Sequence, residues 1–227
     1  MEPTNESSYF MIYLILFIVG ITLLITYVLV KQRSKNLQKE ADLLGLSFNK
    51  NGRDVTLEKH RDFSLFSHGV DKTITNEIWG EYKGKNLSVF GYRYSTDTDA
   101  NDSRTVNKQT VISIETNNNS IPDFELVPAS VFHKFGTFFN DKKVELIAHP
   151  EFSKKFLLRG DDDQGIRDFF TDSIVEIFRD KLDVSVESKS NILLLYRNSK
   201  LCKSSEISRF LEEGDDIYRV FFQVTDG

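Results

Sequence analysis

The sequence predicts an α+β protein: an N-terminal transmembrane helix followed by one domain of mainly antiparallel sheet with packed helices. Three observations carry this. Residues 11–30 contain no charged side chain. Residues 74–128 read as strand-like runs joined by short turn signals, which favours antiparallel pairing. Beyond residue 160, large apolar side chains recur at helical spacing between further short strands.

The apolar run MIYLILFIVGITLLITYVLV comes first. A helix of that length spans about 30 Å, the thickness of the bilayer hydrocarbon. Tyr9, Phe10, Tyr13 and Tyr27 sit near its ends, where aromatic rings favour the interface. A cleaved signal peptide would need a basic start and a small-residue cleavage site. Here the start is acidic and Lys31-Gln32-Arg33 follows the run. Lys31, Arg33, Lys35 and Lys39 lie after the run and no basic residue lies before it. The positive-inside rule then places residues 1–10 outside, as a short extracytoplasmic N-terminus, and the C-terminal side in the cytoplasm. The expected location is a bacterial inner membrane, crossed once, with the lipid bilayer as partner of residues 11–30. Gly20 has no small residue four positions away, so the segment reads as a plain anchor rather than a dimerisation face.

Residues 31–45 are expected to form a juxtamembrane helix, because Leu37, Ala41 and Leu44 share a face and Gly45 is a natural stop. Residues 46–227 then make one cytoplasmic α+β domain, a usual size for a single core. Aromatics are 12% of the chain and Phe alone contributes 19 residues, a composition that folds rather than stays disordered. The net charge of −5 is uneven: residues 1–39 sum to +2, which leaves −7 for the remainder. An acidic domain repels phosphate backbones, so no nucleic-acid partner is expected. The single cysteine, Cys202, excludes an internal disulfide and fits a reducing compartment.

Within the domain, 49–53 reads as a turn with Asn51-Gly52 at its tip. Residues 74–82 and 86–94 form a predicted hairpin about Lys83-Gly84. Residues 95–103 read as a polar loop, 105–116 as a long strand, 117–120 as a turn and 124–127 as a short strand. Val144, Leu146 and Ala148 alternate, and 155–159 is a further strand. Ile166, Phe169 and Phe170, then Ile174, Ile177 and Phe178, have helical spacing. Val184 and Val186 alternate, 191–197 is a buried strand, and Ser204 can cap a last helix carrying Ile207, Phe210, Leu211, Ile217, Tyr218 and Phe221. Gly214 is expected to weaken that helix midway, with Asp215-Asp216 able to restart it.

Several runs carry a resemblance. They are Asn76-Glu77-Ile78-Trp79-Gly80-Glu81-Tyr82-Lys83-Gly84-Lys85, Phe90-Gly91-Tyr92-Arg93-Tyr94, Gln109-Thr110-Val111, Pro122-Asp123-Phe124-Glu125-Leu126-Val127-Pro128, Pro150-Glu151-Phe152-Ser153 and Leu158-Arg159-Gly160. In this order and spacing, over residues 63–196, the chain resembles a family of uncharacterised bacterial membrane-anchored proteins. These carry one domain after an N-terminal membrane segment. Members often have Asp where this chain has Gly91, so no role of that carboxylate carries over. The resemblance implies the architecture and no activity.

Candidate sites are few. Asp97-Thr98-Asp99-Ala100-Asn101 resembles the start of a calcium loop, but Asp102 and Lys108 stand where an EF-hand needs Gly and Glu. Asp161-Asp162-Asp163 precedes a helix and reads as its cap. His60, His68, His133 and His149 show no metal-ligand spacing. Lysines flank Cys202, which could lower its pKa, yet no base is predictable. No nucleophile elbow, P-loop or dinucleotide fingerprint is present. No catalytic, metal or cofactor residue is therefore assigned, and no cofactor is expected. Trp79, Phe90, Tyr92 and Tyr94 fall on paired strands, either as core packing or as the lining of an apolar groove. The expected function is a membrane-tethered binding or scaffolding domain with a protein partner. The alternatives are a lipid- or apolar-ligand-binding domain and, third, an enzyme with an unfamiliar site.

Overall fold

The computed structural model describes residues 5–98, 103–116, 121–131 and 143–223. His133 and most of the calcium-like run at 97–101 lie outside the described residues. Helix α1 (Asn5–Leu44) runs unbroken for 40 residues. Within it, residues 9–32 are exposed on every side and Ser34, Leu37 and Ala41 are buried. The exposed part is long and apolar enough to cross a membrane. So continuous a sleeve of exposed Leu, Ile, Val and Phe fits a single-pass membrane segment, since lipid is the solvent that accepts it. The helix ends as its sequence demands. Gly45 takes φ +69°, the Gly45 amide bonds Asp42 and the Leu46 amide bonds Ala41, a Schellman closure.

The domain is built on one eight-stranded antiparallel sheet. Its strands are β1 (Ser47–Asn49), β2 (Val70–Tyr82), β3 (Lys85–Thr98), β4 (Ser103–Glu115), β5 (Phe124–Pro128), β6 (Phe156–Arg159), β7 (Ser185–Lys189) and β8 (Ile192–Tyr196). Their spatial order is β1-β2-β3-β4-β8-β7-β5-β6. The α+β class holds, and β2 and β3 form the expected hairpin, with Tyr82 facing Lys85 across the two-residue turn. Strand β8 is central, so it is buried on both faces: Leu193 and Leu195 belong to one core, Ile192, Leu194 and Tyr196 to the other.

The larger core lies between the sheet and α1, α4 (Pro150–Lys155), α5 (Asp163–Phe169), α6 (Asp172–Ile177) and α7 (Ile207–Gln223). Much of it is phenylalanine. Phe124, Phe152, Phe156, Phe169, Phe170, Phe178 and Phe221 pack largely edge-to-face or tilted, for example Phe124 and Phe170 at 5.1 Å and 80°. The second face of the sheet is covered by a strap made of α2 (Asp54–His60) and α3 (Ser64–Ser67).

The structure corrects several local expectations. The strap leaves no helical period in the sequence: α2 buries Thr56 and His60 while its Val55 is exposed, and a polar buried face shows no apolar spacing. Strands β3 and β4 run through most of the stretch expected as loop at 95–103. Val144-Leu146-Ala148 is no strand; Lys143 makes one isolated bridge to Arg159. A short helix, α4, precedes β6, with Pro150 at its first turn. Helix α7 is continuous through Gly214, which does not break it. There the helix approaches the sheet closely: a Cβ on Gly214 would meet Ile112 Cδ1 at 3.4 Å.

Candidate functional site

Three constructions stand out, and the first is the junction between α1 and the domain. Ser34 Oγ donates to Asn76 Oδ1 of β2 at 2.6 Å, and Arg33 Nη1 donates to the Cys202 carbonyl at 2.6 Å. Leu37 and Ala41 enter the main core at 2% and 0% exposure. One turn separates these contacts from the end of the apolar run at Val30. The domain is thus fastened to the end of the span, not hung from a linker.

The second construction ties down the strap. Two carboxylates of the sheet cap its two short helices. Glu77 of β2 accepts from the Arg53 amide at 2.8 Å and from Thr56 Oγ1 at 2.7 Å, at the start of α2. Its Oε1 also takes Arg53 Nη2 at 2.6 Å, and the Arg53 guanidinium lies 4.4 Å from the Trp79 ring centre. Glu187 of β7 accepts from the Ser64 and Leu65 amides at 2.7 and 3.0 Å, at the start of α3, and from Tyr196 Oη at 2.8 Å. Carboxyl oxygens that accept from amides at a helix start satisfy donors the helix leaves free, and a charged one gains from the helix dipole as well. Between them, His60 Nδ1 donates to the Thr56 carbonyl at 2.6 Å and Nε2 accepts from Ser113 Oγ at 2.7 Å. That pattern requires neutral imidazole, and burial lowers its pKa to about 4.

The third construction is a cavity of about 40 Å³ beside α3, whose lining includes Leu65, His68, Tyr94, Glu125 and Tyr196. Glu125 stands between Arg159 and Glu187 on neighbouring strands, and Arg159 Nη2 lies 3.3 Å from Glu125 Oε2. Burial, then the nearby Glu125, pushes Glu187 up to about 8. Burial raises Glu125 as well, against the pull of Arg159. The cavity has room for water and no more; small-molecule sites usually measure ~300–1,000 Å³.

Of the four aromatics singled out from the sequence, all lie on the strap face of the sheet. Trp79 pairs across from Ser88, which alternates in β3 with Phe90, Tyr92 and Tyr94. Phe90 and Tyr92 are 1% and 0% exposed, and His60 and Phe66 cover them. Tyr94 borders the small cavity and Trp79 is half-buried under Arg53. Asp162 Oδ1 caps α5 by accepting from the Gly165 amide at 2.9 Å, as the acidic run implied. His149 Nε2 is 3.0 Å from Asp172 Oδ1, at the surface. Cys202 is buried, and burial pushes its thiol pKa up, away from a reactive thiolate. Sequence reasoning missed Glu77, Glu187 and Arg53. An isolated Glu in a strand gives no sign of which helix it will cap.

No protein-family model matches the chain, and no curated protein matches it. Among solved structures, the fold is similar to that of the mycobacterial trehalose monomycolate transport factor A, TtfA, with a TM-score of 0.56 at 12% identity. The likeness covers 82% of this chain and 94% of that one, and at this identity it is a likeness of fold.

Proposed function

We propose that the chain is a single-pass protein of a bacterial inner membrane, N-terminus outside, whose cytoplasmic domain is a binding or scaffolding platform for a protein partner. One observation carries the reading: α1 passes without a break from an exposed apolar segment into the domain core, through Ser34, Leu37 and Ala41. A domain fixed this way presents the same surface at a constant height and angle to other membrane proteins. The four basic residues after the apolar run support the orientation. The fold shared with a transport factor supports an accessory role in a membrane transport process. The cavity beside α3, at about 40 Å³, is too small for an acyl chain. The resemblance to uncharacterised membrane-anchored proteins agrees with this architecture.

Two measurements test it. Alkaline phosphatase fused after Gly227 should be inactive and a fluorescent protein there bright; active phosphatase overturns the orientation. The full chain purified from bacterial membranes in mild detergent should retain a protein in fixed stoichiometry. Stoichiometric lipid with no protein would overturn the scaffolding role in favour of apolar-ligand binding.

A further inference from the structure

The sheet does not stop where α1 leaves it. Two contacts give the level at which the helix departs: Ser34 to Asn76 on β2, and Arg33 to Cys202, whose amide donates to Thr110 Oγ1 of β4 at 2.9 Å. Moving back along the chain from Leu46, just past the end of α1, to Ser34, the contacts on β2 pass from Gly80 to Asn76. The direction is therefore that of the membrane segment. Strand β2 continues past Asn76 to Val70, roughly 20 Å at the rise of an extended chain. Strands β3 and β4 accompany it. From Ser34 to Val30 the helix advances only about 6 Å. A three-stranded arm thus reaches the height at which α1 enters the bilayer.

The face of this arm on the α1 side has a specific composition. Arg93 and Lys108 are direct cross-strand partners, both exposed. Among the described residues, neither has a carboxylate partner. Like charges placed opposite each other destabilise a sheet unless something anionic lies across them. Val70 and Val106 flank Ser95 on the two neighbouring strands and are 45% and 44% exposed. Leu201 lies over Gly91 on the same face and is 38% exposed. Asp71, on the arm, is paired with Arg104 at 3.2 Å. The exposed Lys31 and Lys35 of α1 stand at the exit point.

We infer that this face of the β2-β3-β4 arm docks on the headgroups of anionic phospholipid. Arg93 and Lys108 lie against lipid phosphates while Val70 and Val106, farther along the arm, dip into the interface. The inference rests on the reading of α1 as a membrane span. It adds a second attachment that depends on lipid charge and salt, whereas the span depends on neither. The docked arm sets the tilt at which the span and its domain, moving as one body, sit in the bilayer.

The test uses the full chain, with Cys202→Ala, in nanodiscs of phosphatidylcholine alone or mixed equally with phosphatidylglycerol. A nitroxide is placed at Val106→Cys, or at Ile18→Cys as a control in the span, and its access to a water-soluble nickel chelate is read by power saturation. The Val106 label should be shielded in the anionic discs and exposed in the neutral ones, and high salt should expose it again. Arg93→Glu with Lys108→Glu should lower the docked-to-free ratio on the order of tenfold or more. Arg93→Gln with Lys108→Gln should act in the same direction and introduces no new charge into the fold. A Val106 label equally exposed in both discs, beside a shielded Ile18 label, overturns the docking alone. An Ile18 label open to the chelate overturns the span reading and the docking with it.

Discussion

Ser34 of α1 and Asn76 of β2 share a 2.6 Å hydrogen bond at the place where the helix meets the sheet. Asn76 has φ +51° and lies in the irregular stretch of β2 between Thr75 and Ile78. Asn tolerates that conformation better than most residues, and the kink turns its amide towards the helix. Ser34→Ala leaves Asn76 Oδ1 without its donor and should cost about 1–2 kcal/mol. Leu37→Ala, at a 2% exposed site, should cost about 2–5 kcal/mol. Both losses should appear as a lower thermal midpoint of the detergent-solubilised full chain. If they are absent, α1 is not part of the domain core.

The last helix offers two opposed substitutions. Phe210 is 3% exposed, with the Arg197 guanidinium 4.7 Å from its ring centre, and Phe210→Ala should destabilise by about 3–5 kcal/mol. Gly214 is helical and has room for one methyl, at 3.4 Å from Ile112 Cδ1. Gly214→Ala should therefore stabilise by up to about 1 kcal/mol, while a larger side chain there should destabilise. Chemical denaturation of each variant checks both signs.

What was legible in the sequence follows from period and length. The span and the buried strand β8 came from uninterrupted apolar runs, the hairpin from the turn at Lys83-Gly84 between strand-like runs, and the stripe on α7 from helical spacing. The strap did not: α2 turns Thr56 and His60 to the sheet, and α3 is a single turn with Leu65 and Phe66, so neither shows a helical apolar stripe. Glu77 and Glu187 lie far along the chain from the amides they cap, and His60 packs among Phe63, Phe66 and Phe90 through a polar helix face. The same gap hid the arm. The polar run at 95–103 has the composition of a loop, yet β3 and β4 pair through Asp97 and Arg104.

The strap also predicts a pH profile with two limbs. His60 is depressed from 6.5 to about 4 by burial, so the unfolded chain takes up its proton first. Stability from His60 is complete above pH 6.5 and is lost as pH falls towards 4, by at most about 3 kcal/mol. Glu187 is raised from 4.5 to about 8, so its contribution is present below 4.5 and is lost as pH rises towards 8. Between 4.5 and 6.5 the two slopes oppose each other; between 6.5 and 8 the fall comes from Glu187, and the raised Glu125 beside it acts in the same direction. Glu187→Gln should flatten the decline in melting temperature above pH 6.5, and His60→Gln should flatten the acid limb. A wild-type melting temperature constant from 6.5 to 8 would contradict the assignment to Glu187.

The rigid coupling of span to domain is tested most directly by the distance between two nitroxides, one on each part. Leu24 is 62% exposed in the span and Glu212 is exposed on α7, so Leu24→Cys with Glu212→Cys, in a Cys202→Ala background, labels both without touching the core. Double electron–electron resonance on the full chain in lipid nanodiscs should give a single narrow distance distribution, because α1 is continuous through Ser34 and its far end is buried in the domain. A broad, featureless distribution, like that of a flexible linker, would contradict the fixed presentation on which the proposed function depends.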